Sequence, residues 1–345
     1  MSPQPGLVVQ LVRVGPHAGS HRVALRAAVS VAVPLLLLWA VDRQAWSIYA
    51  AFGGFTSLYG RNHVGLSRLQ MQLSLAVLLT LSVVGGVAVG LSEHRDWLVV
   101  PTGALVAGIG SLVSDAEDWH PPGPLFLVFA FAACASIPST PADLPVAAAV
   151  AAATAAFAVL VGAAGSMWRA SRGAGPPRDA VRRRSFADLA VRHVVRCMAG
   201  CLLAGALATA AGIGHPYWAM VSAIVPLAAR ELGAQVLRGV QRIAGTALGL
   251  AMAAALFALD LDGLALIVVI VLLQAAAELW VGRNYAIALI AVTPLALLMI
   301  QLVAPAPAGE LLVDRGVETL IGAAVGILLA WLTRGPRRHV LAEPA

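Results

Sequence analysis

Residues 22–54 read RVALRAAVSVAVPLLLLWAVDRQAWSIYAAFGG, and residues 192–226 read RHVVRCMAGCLLAGALATAAGIGHPYWAMVSAIVP. In both stretches two arginines four residues apart open an apolar run, and a tryptophan opens the next one. The matched residues are Arg22, Arg26 and Trp46 in the first stretch and Arg192, Arg196 and Trp218 in the second. The arginines match at an offset of 170 and the tryptophans at 172, so we interpret the stretches as diverged copies of one unit.

The composition of the chain indicates a membrane protein. Of its 345 residues, 60% are apolar and only 12% are charged, with a mean hydropathy of +0.85. Soluble domains carry roughly 25% charged residues to cover their surface. The composition therefore excludes a soluble globular domain and predicts an integral membrane protein surrounded by lipid.

Apolar runs predict an all-α polytopic fold. A spanning helix needs about 20 predominantly apolar residues, and fewer where it is broken or buried in protein. We predict twelve membrane helices, at residues 23–41, 46–60, 70–91, 97–114, 124–138, 144–167, 190–212, 217–229, 239–258, 263–281, 284–303 and 316–333. Segments 46–60, 124–138 and 217–229 are short, and full crossing by these three is left open.

The arginines predict the orientation of the helices. All 23 basic residues are arginine, and cytosolic connections of membrane proteins are enriched in this residue. With a cytosolic N-terminus, every arginine except Arg43, Arg95 and Arg315 falls on the cytosolic side. We therefore predict a multi-pass protein of a bacterial-type inner (plasma) membrane with both termini in the cytosol.

The chain divides into two halves around an arginine-rich linker. We predict a first six-helix repeat at residues 1–167, a cytosolic linker at 168–189, and a second six-helix repeat with a short basic tail at 190–345. Six spans is an even number, so the repeats enter the membrane from the same side and are related by a pseudo-twofold axis along the membrane normal. We interpret the linker as a connector near anionic headgroups in preference to a specific nucleic-acid or lipid site.

Several function classes lack their chemistry. Without lysine the chain has neither a Walker A loop nor a Schiff-base nucleophile, so it is not itself an ATPase. No serine lies in a G-x-S-x-G elbow, and His17 and His21 have no acidic or cysteine ligand nearby. We predict no enzymatic activity, no cofactor, no metal site and no nucleic-acid partner.

Paired helix breakers indicate a substrate site. Gly53 and Gly54 follow Trp46 by about eight residues, as Pro226 follows Trp218, and interrupted helices at matching positions free backbone groups that face a cavity or a ligand. The alternatives are that glycine packs helices, that proline kinks one, and that the tryptophans lie at the lipid interface.

Arginines inside the helices are candidate anion ligands. Arg26 and Arg196, if they face the seam between the halves, form a receptor suited to bidentate binding of carboxylate; the alternative is that they reach to the headgroups. Further arginines extend a cationic funnel at the cytosolic mouth: Arg68, Arg238 and Arg242. The repeat register leaves open whether Arg68 matches Arg238 or Arg242.

Two carboxylates are candidate proton-coupling groups. Glu318 lies about one turn into the last predicted helix, and Glu278 lies near the cytosolic end of the tenth. Carboxylates within membrane segments often belong to proton relays, although each of these could pair with an arginine or lie in the interface. By contrast, Gly245-x-x-x-Gly249 and Gly322-x-x-x-Gly326 have ordinary helix-packing spacings.

The second half resembles a known family. The stretch YWAMVSAIVPLAARELGAQVLRGVQRIAGTALGLAMAAAL from Tyr217, with Arg242 shortly before Gly245-Thr246, and RNYAIALIAVTPLALLM from Arg283 resemble the fusaric acid resistance type of membrane transporter domain. The resemblance covers about 190–335 and more weakly 22–167, where AWSIYAAFGGF and the Arg68 region are similar. Aromatic acid exporters and, more distantly, plant aluminium-activated malate channels look related. The chain differs from longer members in having no large cytosolic domain between or after its helix sets.

The resemblance implies efflux or permeation of organic anions, especially aromatic carboxylic acids. We therefore expect a secondary exporter of small organic anions, with proton exchange as its energy source. The alternatives are a passive organic-anion channel on the same scaffold and a non-transporting scaffold whose linker recruits a partner. Oligomer formation is left open.

Overall fold

The computed structural model describes residues 6–17, 19–60, 66–170, 191–229 and 231–334. These residues form helices and no strand. In chain order the α-helices are α1 (Leu7–Val12), α2 (Ser20–Ala40), α3 (Ser47–Gly54), α4 (Leu66–Gly90), α5 (Arg95–Ala116), α6 (Leu125–Ala135), α7 (Asp143–Ala170), α8 (Val191–Ala210), α9 (Tyr217–Leu227), α10 (Leu232–Phe257), α11 (Gly263–Trp280), α12 (Tyr285–Val303) and α13 (Ala308–Leu332). Short 3₁₀ turns at Gln44–Trp46 and Phe55–Leu58 flank α3. The linker predicted at 168–189 lies almost entirely outside the described residues.

Nine helices of the described chain are long and apolar enough to cross a membrane. In lipid a backbone must satisfy its own hydrogen bonds, and apolar runs of this length do so as helices. The expectation of an all-helical, multi-pass membrane protein is thereby confirmed. The remaining predicted segments hold the short helices α3, α6 and α9, with 8, 11 and 11 residues. Twelve full crossings therefore stay a prediction.

Two helix starts differ from those predicted. The last helix begins at Ala308 rather than 316, and α10 begins at Leu232 rather than 239. Arg315 therefore lies within α13 and not in a connection, and Glu318 is the eleventh residue of that helix rather than about one turn in. Both helices begin with polar residues, so a prediction based on hydropathy places their starts too late in the chain.

Helix contacts recur between the halves. In the first half α3 packs on α7, and α4 packs on α6 and α7. In the second half α9 packs on α13, and α10 packs on α12 and α13. The burial pattern also recurs, since the ten residues from His21 and the ten from Val191 alternate between buried and exposed in the same order.

The most extensive contacts between the halves are those of α2 with α11 and of α5 with α8. Each half thus sets its first helix against the fourth helix of the other. The short helices α3, α6 and α9 lie inside this frame, and every residue of α3 and α9 is buried.

Glycines permit the closest helix contacts. A Cβ atom added at Gly322 would lie 2.1 Å from the carbonyl oxygen of Ala219, and one at Gly326 would lie 2.5 Å from that of Ala223. At Gly245 the nearest atom, the carbonyl oxygen of Ala286, would be 2.4 Å away. These glycines therefore let α13 approach α9 and α10 approach α12, as expected of small residues at membrane helix interfaces.

Candidate functional site

A cavity of about 500 Å³ lies between the two halves. The first half contributes residues of α3, α6 and the segment before α6, and the second half contributes residues of α9 to α13. This volume falls within the roughly 300–1,000 Å³ range of small-molecule sites. All three short helices, α3, α6 and α9, line this cavity.

Aromatic rings form the first-half wall of the cavity. They belong to Phe52, Phe55, Tyr59, Phe126 and Phe129. Neighbouring rings meet edge to face, with centroids 5.1 Å apart for Phe52 and Phe129 and 5.2 Å apart for Phe55 and Phe126. Phe129 stacks on Tyr217 at 6.0 Å, so the ring system continues into α9. These rings give the wall an aromatic surface without charge.

Arginines from the second half face the same cavity. Arg242 is 3% exposed, and its Nε donates a hydrogen bond to Ser222 Oγ at 3.2 Å. Its Nη1 donates to Tyr285 Oη at 3.1 Å. Its Nη2 is buried and has no hydrogen-bond partner within the described part of the chain. Arg242 is therefore oriented by two neutral groups, with one donor left over.

Arg315 approaches the cavity from α13. The centre of its guanidinium lies 5.0 Å from the ring centroid of Trp218, and both residues line the cavity. Trp218 is fully buried. Among the described residues neither Arg315 Nε nor Trp218 Nε1 finds a hydrogen-bond partner. A buried donor without a partner costs about 1–3 kcal/mol, and more when it is charged, so these groups favour an acceptor in the cavity.

One end of the cavity is more polar and more open. Glu278 and Gln274 line it from α11 and are both buried. Arg238, which is exposed, stacks over the Tyr285 ring with 5.1 Å between guanidinium and centroid. The charged side chains of the wall are therefore three arginines and one glutamate, and the cavity carries excess positive charge.

A polar cluster lies behind Arg315. Glu318 is fully buried one turn further along α13, and its Oε1 accepts the backbone N–H of His215 at 3.1 Å. Its Oε2 has no hydrogen-bond partner in the described residues. His215 Nδ1 lies 2.9 Å from Asp314 Oδ2, and these two side chains are 21% and 20% exposed. The His215 ring also stacks on Trp218, with 4.8 Å between centroids.

A segment near the N-terminus holds the turn between α11 and α12 beside the cavity. Asn284 Oδ1 accepts the N–H of Ile287 and so caps α12, while Nδ2 donates to the carbonyl oxygens of Leu11 at 2.7 Å and Arg13 at 3.1 Å. The N–H of Gly15 donates to the Arg283 carbonyl at 2.9 Å. Residues 11–15, the N-terminal strap, therefore fix this turn.

Four of the residues predicted from the sequence line the cavity: Trp218, Arg238, Arg242 and Glu278. The other predicted residues lie outside the wall that the described residues form: Arg26, Trp46, Gly54, Arg68, Arg196, Pro226 and Glu318. The cavity thus collects its polar ligands mainly from the second half.

The predicted residues outside the wall make other contacts. Arg26 Nε donates to the carbonyl of Ser57 at 2.8 Å, and Arg68 Nη2 donates to that of Gly162 at 2.8 Å. Arg196 has its Nε and Nη2 buried with no hydrogen-bond partner where the chain is described.

Gly54 and Pro226, which were predicted to interrupt helices, make packing contacts with neighbouring helices. A Cβ at Gly54 would lie 3.0 Å from the Ser30 carbonyl oxygen. A Cβ at Gly326 would lie 3.1 Å from Pro226 Cγ, so Pro226 packs on α13. Helix α3 ends at Gly54, and α9 ends one residue after Pro226.

Sequence reasoning did not select Arg315, His215 or Asp314. Asp314-Arg315 looked like part of a polar connection, since Glu310 lies just before it and the apolar run begins just after. The signal that could have found them is helical spacing, because Asp314, Arg315 and Glu318 share one face of a helix extended backwards by two turns.

Comparison with known protein families gives a match within the second half of the chain. A family described as fusaric acid resistance protein-like matches residues 201–329, which hold Trp218, Arg242, Glu278 and Arg315. The resemblance stated from the sequence is thereby confirmed for this part of the chain, and the match is consistent with a membrane transport protein.

A curated membrane protein is similar to part of the chain. The chain is 30% identical over 122 residues to "Uncharacterized membrane protein YvaC" of Bacillus subtilis (strain 168). This alignment covers 35% of the chain and 19% of that relative, so the chain spans about a fifth of its length. No solved structure matches the chain.

Proposed function

We propose that the protein is a secondary transporter that exports small organic anions, with aromatic carboxylic acids as the substrate class. The observation that carries this proposal is the convergence of buried donors on one cavity: Arg242 Nη2, Arg315 Nε and Trp218 Nε1. Guanidinium groups are the preferred partners of carboxylate, and a dry environment strengthens such bonds.

The opposite wall of the cavity supports an aromatic substrate. A carboxylate held near Arg242 and Arg315 directs its organic body toward the rings of the first half, which include Phe52 and Phe129. Edge-to-face and stacked ring pairs contribute about 0.5–1.5 kcal/mol beyond simple burial. An aliphatic anion of equal size lacks this contribution, so the cavity favours aromatic acids.

The architecture that we propose for transport is a pair of parallel repeats, at residues 1–167 and 190–345, with both termini in the cytosol. The recurrence of the α3/α7 contact as α9/α13 supports it, as does the shared burial pattern of α2 and α8. Transport would proceed by rocking of the halves about the cavity. An inside-negative potential favours the exit of an anion that crosses without a compensating proton by roughly 2.3 kcal/mol per charge for each 100 mV.

The proposed substrate ligands are Arg242, Arg315 and Trp218, with Arg238 and Glu278 at the more open end. Arg26 and Arg196 stay candidates for a second anion contact at the seam between the halves, as do Arg68 and the helix ends at Gly54 and Pro226. Trp46 is half-buried beside α3, and Arg43 lies over its ring at 5.5 Å. These positions are separable by mutation.

Benzoate flux in proteoliposomes tests the function. Wild-type protein should move benzoate, and Arg242→Gln should reduce the flux at least about tenfold, because a hydrogen bond to a charged group contributes roughly 1.5–3 kcal/mol. Arg22→Gln, at an exposed position on α2, is the matched control and should behave as wild type. Absence of benzoate flux from folded wild-type protein would refute the proposal.

Electrical recording separates the carrier from the channel. A passive channel would pass sustained benzoate current at a rate that does not saturate with concentration. A carrier would saturate and would exchange labelled for unlabelled benzoate. If neither occurs, deletion of residues 172–184 tests the remaining hypothesis of a scaffold, whose function would depend on the linker.

A further inference from the structure

Glu318 lies close to the proposed anion site but does not line it. It is fully buried on α13, one helical turn beyond Arg315. Side chains three positions apart on a helix are neighbours, about 5–6 Å apart at Cβ. The charge on Glu318 therefore acts on the same guanidinium that faces the cavity.

We infer, on the basis of the proposed anion site, that Glu318 binds a proton whenever the cavity holds its anion. A deprotonated Glu318 would place a second negative charge beside Arg315 and would compete with the substrate for its attraction. When Glu318 is protonated, the positive charge of Arg315 is available to attract the substrate. Anion and proton thus bind together rather than in exchange.

The polar cluster behind Glu318 provides a route for protons between this residue and solvent. Asp314 and His215 are each about one fifth exposed, whereas Glu318 is fully buried. Glu318 Oε1 is held by the backbone N–H of His215, and Oε2 is buried without a partner among residues that the structure describes. In the uptake step, an O–H bond of a hydronium ion at the His215–Asp314 pair breaks and an O–H bond forms at Glu318 Oε2, which leaves a water molecule. No other bond changes.

Several charged or titratable groups face this pair of residues from the surrounding elements. Helix α13 brings Asp314 and Arg315, and the α8–α9 connection brings His215. The remaining groups come from α9, α10 and α12: Tyr217, Arg242 and Tyr285. Helix α8 also packs on α13, but its titratable residues all lie in its first eleven positions, far from the end nearest Glu318. Of the carboxylates near Arg315, Glu318 is the one whose side chain is fully buried.

The two binding events must affect each other equally. If protonation of Glu318 raises the anion affinity by some factor, anion binding raises the proton affinity by the same factor. Charges separated by one helical turn inside a protein, at an effective dielectric constant near 20, give a factor of about ten or more. Proton exchange, in which the ligands compete, predicts the opposite pH dependence.

Anion binding to the purified full-length protein in detergent tests this linkage. The probe is benzenesulfonate, which stays ionised, so that its own protonation does not contribute. Over the pH range in which the protein stays folded, wild-type affinity should fall about tenfold toward the alkaline end. Glu318→Gln, which imitates the protonated state, should keep the acidic-end affinity throughout. Glu310→Gln, exposed in the first turn of the same helix, should follow wild type.

The outcomes are distinct. If Glu318→Gln keeps the full wild-type pH dependence of benzenesulfonate affinity, another group such as His215 or Glu278 is responsible. That result overturns the inference and leaves the proposed anion site intact. Wild-type protein that binds neither benzenesulfonate nor benzoate at any pH overturns the proposed function itself. Should Glu318→Gln not fold, wild-type protein in weak buffer should take up protons when benzenesulfonate is added, and the absence of uptake also overturns the inference.

Discussion

The guanidinium of Arg315 lies 5.0 Å above the ring of Trp218, and both side chains are buried beside the cavity. This pair joins α13 to α9, the two helices with the most extensive contact in the second half. A cation over a buried ring gains up to about 2 kcal/mol, more than at an exposed site. The pair therefore holds Arg315 in place without neutralising its charge.

Replacing Arg315 tests the contribution of the buried arginine–tryptophan pair, and an exposed pair of the same kind serves as the comparison. Arg315→Gln should weaken benzoate binding by about tenfold to a hundredfold, because a charged donor to the carboxylate is lost. Arg334 lies over Trp331 at the same 5.0 Å but is exposed, so Arg334→Gln should leave binding unchanged. Calorimetric titration of both variants measures the difference. Equal effects would show that Arg315 acts only through net charge.

The arginine pair of the first helices is testable by growth. Arg26→Gln combined with Arg196→Gln should abolish resistance to an aromatic acid while leaving expression intact, because both guanidiniums are held inside the protein. Arg22→Gln with Arg192→Gln is the matched control, since those residues are exposed at corresponding positions. Unaltered resistance of the first double variant would count against the seam receptor.

Helix contact at Gly322 predicts a loss of stability. Gly322→Ala should lower the free energy of unfolding by about 1–3 kcal/mol, because the new methyl group collides with the backbone of α9. Gly309→Ala is the control on the same helix, where an added Cβ meets nothing within 4 Å. Thermal unfolding in detergent should show a lower midpoint for the first variant alone. Equal midpoints would mean that α9 and α13 can separate without cost.

The N-terminal strap predicts a graded effect at Asn284. Asn284→Ala removes the α12 cap and both bonds to the strap, and should cost about 1–3 kcal/mol of stability. Asn284→Asp keeps an oxygen to cap α12 but has no Nδ2 donor, so its loss should be smaller. Proteolysis after residue 13 should be faster in both variants than in wild type. Equal stability of the two variants would assign the whole effect to the bonds with the strap.

The sequence predicted the positions of the membrane helices because lipid imposes the same requirement on every spanning segment. It also singled out α3, α6 and α9 as short, which is the feature that makes room for the cavity. It did not predict α1, whose six residues are too few to show periodicity. Helix starts were misplaced where charged residues open a helix inside the protein, as at Arg315.

The candidate site was harder to predict than the fold. Trp218 was selected because it matches Trp46 in the repeat, and Arg242 and Glu278 were selected because charged residues stand out in or beside an apolar run. Arg68 was selected by the same reasoning, yet it donates to Gly162 on a neighbouring helix. Only the arrangement of helices separates an arginine that satisfies a carbonyl from one that keeps a donor for a ligand.

The strap gives the molecule a convenient position for a spectroscopic label. Val14 is 44% exposed between two backbone atoms tied to the α11–α12 turn, whereas Cys134, Cys197 and Cys201 are all buried. A thiol introduced by Val14→Cys would thus react selectively in the folded protein. A fluorophore attached there would lie beside the cavity, and its emission would report the widening or narrowing of the cavity in real time.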